Sequence, residues 1–160
     1  VLALAEQKPE ENFFAVDVHR PGLGRLLNRA VVTGLCNIRV SDKDICELLA
    51  GVVEPVFDRV LVFFPDPWPK RRHQKRRLLQ HPFFDVLEQS LHRHGRVFIA
   101  TDDANYAESI IKTAAGLPRW VNLAGPAHWA PRACFRPITK FEAKARAAGS
   151  TVYDFVFARC

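Results

Sequence analysis

Methionine is absent from this 160-residue sequence, and cysteine occurs only four times. The cysteines are Cys36, Cys46, Cys134 and Cys160; no pair has CxxC spacing, and the six histidines add no recognisable ligand spacing. We therefore expect reduced thiols, with Cys36 buried, and no zinc or other metal site. A chain that begins at Val1 and lacks methionine is consistent with a non-ATG start, with processing or with a fragment.

Long hydrophobic runs are also missing, since none approaches the roughly 20 residues that cross a bilayer. No basic segment followed by an apolar one opens the sequence, so we expect a cytoplasmic protein without a membrane segment. Internal repeats and low-complexity linkers do not occur. With 48% hydrophobic and 25% charged residues, the chain is predicted to form one domain, residues 1–160, with a hydrophobic core.

Positive charge is in excess and unevenly placed. The chain carries 23 Lys and Arg against 17 Asp and Glu, a net charge of +6, and six of the cations fall within positions 70 to 77. A scattered excess would indicate solubility alone, whereas a concentrated one favours an anionic partner such as nucleic acid.

The basic cluster follows an unusual loop. The apolar run Val60–Phe64 ends at Pro65, and prolines at 65, 67 and 69 fix φ and remove three backbone donors, so neither strand nor helix continues. The loop carries Asp66, which should stay ionised among the cations and could accept hydrogen bonds from a purine. Trp68 could stack on a base or pack beneath the loop. Such a loop could hold a base beside a phosphate backbone.

Apolar runs alternate with helical stretches, which is typical of an α/β sheet protein. The predicted strands are Phe13–Val18, Ile38–Ser41, Arg59–Phe64, Val97–Thr101, a weak one near Val121, and Thr151–Ala158, the last of which could be antiparallel. The predicted helices are Leu2–Gln7, Leu23–Thr33, Lys43–Leu49, Arg77–Leu91, Ala104–Ala115 and Thr139–Ala148. Gly34 and Asp103 are expected to cap the second and fifth helices, and Gly95 to separate the fourth helix from its strand.

Acidic residues follow four successive predicted strands. They are Asp17, then Asp42 and Asp44, then Asp66, then Asp102. Ligands of open α/β sheets bind beyond the carboxyl ends of the strands, so these acids predict a polar ligand in a cleft. Helix capping is the alternative for Asp42 and Asp103. Asp17 is placed to accept hydrogen bonds from both hydroxyls of a ribose.

The basic run has two interpretations. It could contact phosphates, or it could be an ordinary solvated helix face, with Arg76 and Arg77 starting the fourth helix. Cations in the first turn of a helix oppose the macrodipole, and this cost favours a bound anion.

With these residues in place, the chain resembles the bacterial tRNA (guanine-N7-)-methyltransferases over nearly its whole length. The matching segments are AVDVHRPGLG at 15–24, NIRVSDKD at 37–44, FFPDPWPKRRHQKRRL at 63–78, ATD at 100–102 with Tyr106, RPITKFE at 136–142 and AGSTVYDFVFAR at 148–159. The 63–78 block is the most specific of them. The resemblance implies a Rossmann-like class I fold that uses S-adenosylmethionine to methylate nitrogen 7 of the variable-loop guanine of tRNA.

The resemblance also assigns residue roles. It implies that Asp17 takes the cofactor ribose, that Asp44 lies by the adenine, and that Asp66 is the active-site acid and also lies at the cofactor. Asp17 stands where many members have Glu, which shortens its reach but keeps its charge. The implied substrate contacts are Lys70, Asp102, Thr139, Lys140, Phe141 and Glu142. The implied RNA-facing loop comprises Lys70, Arg71, Arg72, His73, Gln74 and Lys75.

The implied reaction needs little acid–base chemistry. Nitrogen 7 of guanine has an in-plane lone pair and no proton to lose, so it can attack a sulfonium methyl group directly. Alignment and a suitable electrostatic field are then sufficient. We therefore expect Asp66 to orient guanine rather than to abstract a proton.

The first strand and Gly-rich loop of that family have no counterpart here. Val1–Glu10 resembles the end of the helix after that loop, and the family's first strand lies between those expected at 13–18 and 59–64. We therefore expect an N-terminally incomplete chain. Two other functions stay open: a non-catalytic basic RNA-binding module, and a methyltransferase acting on an exocyclic amine, because Pro65–Trp68 partly matches the Asp/Asn-Pro-Pro-aromatic motif. The sequence does not indicate an oligomeric state.

Overall fold

Two sheets organise the chain in a computed structural model that describes Val1–Cys160. The residues group into two units: residues 1–51 with 134–137 form the first unit, and residues 52–133 with 138–160 form the second. No helix in either unit combines the length and the hydrophobicity that crossing a membrane requires.

The first unit is built on a parallel strand pair. Its elements are α1 (Leu2–Gln7), β1 (Phe13–Val16), α2 (Arg20–Val32), β2 (Ile38–Ser41) and α3 (Ile45–Ala50). Phe13 of β1 lies opposite Ile38 of β2, and the pair needs a crossover, which α2 provides. Ala5, Ala30 and Ile38 form the centre of its core. Gly34 follows the end of α2 with a φ of 70°, as expected for a left-handed residue after a helix.

The second unit contains a four-stranded mixed sheet. Its elements are β3 (Phe57–Phe63), a 3-10 helix (Arg71–Arg76), α4 (His81–Ser90), β4 (Leu91–Thr101), α5 (Ala104–Ala115), β5 (Trp120–Asn122), α6 (Lys140–Ala147) and β6 (Tyr153–Arg159). The strand order is β3-β4-β6-β5, in which β3 and β4 are parallel. β6 pairs antiparallel with both β4 and β5, which confirms the prediction for the last strand.

Aromatic side chains fill the core of the second unit. Phe84 of α4 lies edge-on to Trp120 at 5.3 Å and to Phe157 of β6 at 6.0 Å between ring centroids. Val97–Ala100 of β4 are buried, as expected for a central strand covered on both faces. Burying each large apolar side chain stabilises the fold by about 1.5–3 kcal/mol, so this cluster holds α4 on the sheet.

The predicted fourth helix was wrong at its start. Residues 71–76 form a separate 3-10 helix, Arg77 is extended with φ −60° and ψ 137°, and α4 begins only at His81. Pro82 explains the difference: inside a longer helix it would lack a hydrogen bond and clash with the preceding turn, but in the first turn it fits. The cations therefore do not occupy the first turn of α4, and the macrodipole argument for a bound anion does not apply.

Gly95 does not separate α4 from the next strand, contrary to expectation. The strand begins at Leu91, and its pairing with β3 shifts between Leu91 and Arg96, which indicates a bulge. His94 has a φ of 65° at this bulge. A Cβ atom at Gly95 would lie 2.5 Å from Leu91 Cγ and 2.8 Å from the His92 carbonyl oxygen, so only glycine fits.

Two smaller expectations for the first unit were also wrong. Cys36 is exposed rather than buried, and its Sγ lies 3.6 Å from the carbonyl oxygen of Gly34. Its neighbour Leu35 packs against the core of this unit instead. Strand β1 ends at Val16 rather than at residue 18, because the Asp17 carboxylate accepts a hydrogen bond from the His19 amide at 2.9 Å and turns the chain.

Candidate functional site

Asp66 and Asp102 follow the carboxyl ends of two paired parallel strands. Phe63 of β3 lies opposite Ala100 of β4, and the Phe64 amide donates to the Ala100 carbonyl oxygen at 2.7 Å. Both aspartates are exposed. Neither carboxylate has a hydrogen-bond or ion-pair partner in the protein, so both are available to a ligand at this edge of the sheet.

The backbone around Asp66 is strained. Phe64 and Trp68 have φ values of 54° and 42°, in the left-handed region that bulky residues avoid. Such conformations cost on the order of 1–3 kcal/mol each and concentrate at functional sites. Trp68 packs within the loop: its ring lies edge-on to His73 at 5.8 Å, and the Arg76 guanidinium lies 5.0 Å from the ring centroid. Of the two interpretations of Trp68, this structure shows packing against the loop.

A buried arginine ties this loop to the start of α5. Arg77 is 5% exposed, and its Nε donates to the Pro67 carbonyl oxygen at 2.8 Å while Nη2 donates to Asn105 Oδ1 at 2.8 Å. Its guanidinium also lies 4.8 Å from the centroid of the Tyr106 ring. The sequence predicts Arg77 as part of the basic cluster or as a helix start, and it does not reveal this role because no local pattern indicates a partner 28 residues away.

Tyr106 completes the same network. Its hydroxyl accepts a hydrogen bond from the Leu79 amide at 3.0 Å, and the side chain is fully buried. Burial raises the pKa of Tyr106, and the Asp66 carboxylate adds to the rise, while the hydrogen bond from Leu79 and the charge of Arg77 act in the opposite direction. The neutral phenol is therefore a fixed part of the support beneath the loop.

The predicted RNA-facing residues lie before and within the 3-10 helix. Lys70, Arg71, Arg72 and Lys75 are exposed and form no ion pair, whereas His73 and Gln74 are half-buried. The side chain of Gln74 is hydrogen-bonded within the protein, because its Nε2 donates to Asn105 Oδ1 at 3.0 Å. Four unpaired cations on one short segment present a positive surface that an anion can approach.

The start of α6 brings a further predicted residue to the end of β3. Phe141 is 65% exposed, and its ring stacks on Phe64 with a centroid distance of 6.1 Å and an interplanar angle of 19°. Thr139 caps α6, because its Oγ1 accepts a hydrogen bond from the Glu142 amide at 3.0 Å. Lys140, in the first turn of α6, is exposed. An exposed aromatic face thus lies next to the loop that carries Asp66.

Glu142 is placed differently from its neighbours on α6. It is fully buried, and its Oε1 accepts from Arg132 Nε at 2.8 Å and from Arg146 Nη2 at 2.6 Å. The carboxylate therefore holds α6 to the preceding loop in this structure. The Arg146 partner lies at i+4 spacing, a signal that the sequence contains, whereas the Arg132 partner depends on the path of the loop.

The first unit positions the other acids. Asp44 rather than Asp42 caps α3: its Oδ1 accepts from the amides of Cys46 at 2.8 Å and Glu47 at 3.2 Å. Asp42 forms an ion pair with Arg20 at 2.8 Å. Burial raises the pKa of the Cys46 thiol, and the Asp44 charge adds to the rise, so the thiol stays protonated.

Asp17 retains acceptor capacity. Its Oδ1 accepts from the His19 amide, whereas its Oδ2 has no partner in the protein. A Cβ atom at Gly22 would lie 3.0 Å from His19 Nδ1, a tight contact, but at an ordinary 3.8 Å from Asp17 Oδ2. An exposed carboxylate oxygen beside a glycine fits a ribose hydroxyl group.

The family described as "Putative methyltransferase" matches residues 1–155. Among curated proteins, the tRNA (guanine-N(7)-)-methyltransferase of Ectopseudomonas mendocina (strain ymp) is 42% identical over 159 residues, which is 99% of this chain and 67% of that protein. The enzyme of the same name from Pseudomonas putida (strain W619) is 42% identical over 98% of this chain and 66% of its own length. The enzyme of that name from Yersinia pestis (strain Pestoides F) is 38% identical over 99% of this chain and 67% of its own length. The chain thus spans about two thirds of the length of these relatives.

Solved structures share the fold at low identity. An rRNA methylase from Streptococcus thermophilus superposes with a TM-score of 0.59 at 13% identity, over 98% of this chain and 92% of that one. A SAM-dependent O-methyltransferase from Thermotoga maritima superposes with a TM-score of 0.56 at 18% identity, over 92% of this chain and 49% of that one. A precorrin-6y C5,15-methyltransferase from Geobacter metallireducens superposes with a TM-score of 0.57 at 16% identity, over 95% of this chain and 70% of that one. At these low identities the likeness shows the Rossmann-like fold alone, and it confirms that prediction.

Proposed function

The chain belongs to the tRNA (guanine-N(7)-)-methyltransferase family, and from that premise we propose that it transfers a methyl group from S-adenosylmethionine to nitrogen 7 of the variable-loop guanine of tRNA. The proposed setting is the cytoplasm, and the proposed partner is tRNA. The observation that carries the proposal is the pair of exposed, unpartnered carboxylates, Asp66 and Asp102, together with the four unpaired cations before and within the 3-10 helix that follows Asp66.

The guanine would lie at the edge formed by the ends of β3 and β4. Asp66 accepts hydrogen bonds from the donor groups of the purine, and Asp102 contacts the substrate from the neighbouring strand. Phe141, stacked on Phe64, offers an exposed aromatic face on which a base can stack. Lys70 and Lys140 lie exposed near these residues in sequence and contact the phosphates of the bound nucleotide.

Thr139 and Glu142 act through α6. Their hydrogen bonds fix the first turn of α6 and its attachment to Arg132, and so hold Phe141 in place. The proposal gives Glu142 a positioning role instead of the substrate contact that the resemblance implied, and the two ion pairs of its carboxylate with Arg132 and Arg146 support this role.

The residues of the first unit fit the ribose and adenine parts of the cofactor. Asp17 Oδ2 accepts from a ribose hydroxyl, and the capped turn at Asp44 lies by the adenine. When bound, S-adenosylmethionine supplies an electrophilic methyl group on a sulfonium sulfur. Because guanine nitrogen 7 has no proton to lose, the chain needs no general base, and Asp66 serves to orient the purine.

The RNA would approach along the cations before and in the 3-10 helix. Lys70, Arg71, Arg72 and Lys75 contact backbone phosphates, with His73 and Gln74 shaping the loop between them. Each phosphate that is neutralised releases condensed counterions, so tRNA binding should weaken steeply as salt rises.

Methylation of an unmodified tRNA transcript tests the proposal. Labelled S-adenosylmethionine should place its methyl group on the transcript, and nucleoside analysis should find 7-methylguanosine. A transcript in which the variable-loop guanine is replaced by adenine is the control and should stay unlabelled. A methylated exocyclic amine, or tRNA binding without cofactor binding in calorimetry and without transfer, would contradict the proposal.

A further inference from the structure

A polar groove lies in the second unit, on the side of the 3-10 helix that faces α5. Its volume is about 500 Å³, and it is bounded by the end of the 3-10 helix, the first turn of α4 and one face of α5. No residue assigned above to the guanine or the cofactor lines it. The only predicted RNA-facing residues in its wall are Gln74 and Lys75.

The groove follows from the amphipathic character of α5. Tyr106, Ala107, Ile110 and Ala114 are buried against the sheet. The groove-facing residues Asn105, Ser109 and Lys112 recur at helical spacing on another face of the helix. The lining carries no large aliphatic side chain, so the groove suits a polar ligand rather than an apolar one.

Hydrogen bonds hold the floor of the groove in one arrangement. Asn105 Oδ1 accepts from both Gln74 Nε2 at 3.0 Å and Arg77 Nη2 at 2.8 Å. Gln80 Nε2 donates to the carbonyl oxygen of Arg77 at 2.6 Å and so fixes the first turn of α4 to the same floor. The floor is therefore formed before any ligand arrives, which lowers the cost of binding.

The charge of the groove is predominantly positive. Lys75 stands on one wall and Lys112 on the other; both are exposed, and neither forms an ion pair or a hydrogen bond in the protein. Glu108 is the only carboxylate in the lining, and the guanidinium of Arg77 at the floor is already bonded to Pro67 and Asn105. Two unpaired ammonium groups on opposite walls of one polar groove fit an anion between them.

We propose that this groove binds a backbone phosphate of tRNA away from the methylated guanine, with Lys112 and Lys75 as its contacts. The inference rests on the proposed function, which makes tRNA the anionic partner. The groove is continuous with the cations at 70–75 through Lys75, so one RNA strand can follow both. Lys112 thereby extends the RNA-binding surface from the loop onto α5, where the basic sequence cluster gives no indication of it.

Equilibrium binding of an unmodified tRNA transcript, without cofactor and over a range of salt concentrations, tests the inference. Lys112→Glu should weaken binding about tenfold and lower the slope of log K against log salt by about 1, while Lys112→Arg should bind as the wild type does. Arg93→Glu is the matched control: it makes the same change of charge on an exposed residue near the start of β4, outside the groove.

The possible outcomes distinguish a failure of the groove inference from a failure of the proposed function. If the wild type binds tRNA and forms 7-methylguanosine but Lys112→Glu behaves like Arg93→Glu, the groove inference is overturned and the function stands. If the Lys112→Glu effect appears but no 7-methylguanosine is formed, the proposed function fails while the groove remains an RNA contact. A wild type that does not bind tRNA overturns both.

Discussion

The guanidinium of Arg77 donates from Nε to the carbonyl oxygen of Pro67, 2.8 Å away, directly after the candidate active-site residue Asp66. The same group bonds Asn105 in the first turn of α5, which follows Asp102. One buried side chain therefore links the loop after β3 to the helix after β4. We assign Arg77 as a positioning residue for both carboxylates rather than as a phosphate contact.

Replacing Arg77 with methionine should separate these two roles. Arg77→Met removes two charge-assisted hydrogen bonds and should lower the free energy of unfolding by about 2–3 kcal/mol. A displaced loop should also lower kcat by about tenfold to a hundredfold. The slope of tRNA affinity against salt should not change, because no phosphate contact is lost. Thermal denaturation, steady-state kinetics and binding over a range of salt concentrations measure these quantities.

Arg72→Met serves as the comparison for Arg77, because Arg72 is exposed and unpaired. It should show the opposite pattern, with an unchanged midpoint of unfolding, weaker tRNA binding and a reduced salt slope. If both variants gave the same pattern, the positioning role of Arg77 would be refuted.

Asp66→Asn should reduce methyl transfer while leaving the fold intact. The change keeps the shape of an exposed, unpartnered side chain but removes the charge that orients the purine, so kcat/KM should fall by about tenfold to a hundredfold. Because Asp66 is not expected to abstract a proton, the shape of the pH–rate profile should be the same in variant and wild type. Asp58→Asn, an exposed acid on β3, should keep full activity. Full activity of Asp66→Asn would rule out the orienting role.

Glu142→Ala should destabilise α6. The buried carboxylate accepts from Arg132 and Arg146, and its loss removes both charge-assisted hydrogen bonds, at a cost of about 2–3 kcal/mol. Chemical denaturation measures the loss, and the exposed Glu54→Ala should show almost none. A double-mutant cycle with Arg146→Ala isolates the pair, and additive effects would contradict a direct interaction.

Alkaline pH should destabilise the second unit through Tyr106. Burial raises its pKa above the ordinary 10.0, so the folded state binds this proton more tightly than the unfolded state does. The corresponding stability is fully present below pH 10.0 and is lost as the pH rises through the folded-state pKa. Tyr106→Phe loses the hydrogen bond from Leu79, so its free energy of unfolding should be about 1 kcal/mol lower than that of the wild type at neutral pH. As the pH becomes alkaline, the free energy of unfolding of the variant should decrease less steeply than that of the wild type.

Melting curves between about pH 8 and 11 test the role of Tyr106, because other titrating groups contribute equally to both proteins. Tyr153→Phe, at a half-buried site, is the control and should follow the wild type. Parallel curves for Tyr106→Phe and wild type would show that another group causes the alkaline transition.

Much of the candidate site was predictable because local signals encode it. Asp66 and Asp102 were placed after strands by the apolar runs before them, and the structure puts both strand ends at one edge of the sheet. Asp103 was expected to cap α5 and does so, accepting from the Tyr106 amide at 2.7 Å. The start of α4 was predicted at Arg77 but lies at His81, because Pro82 fits in the first turn of a helix and not in its interior.

The sequence by itself determined the α/β class, the order of acids after the strands and the stiff basic loop. Periodicity, proline chemistry and charge act between near neighbours, so they can be read along the chain. Only the tertiary structure decided that Arg77 is the buried member of the basic cluster, which residues flank Lys112 in its groove, and that Glu142 lies between two arginines. Burial and pairing of these side chains depend on contacts between residues far apart in sequence, and those exist only once the sheet has formed.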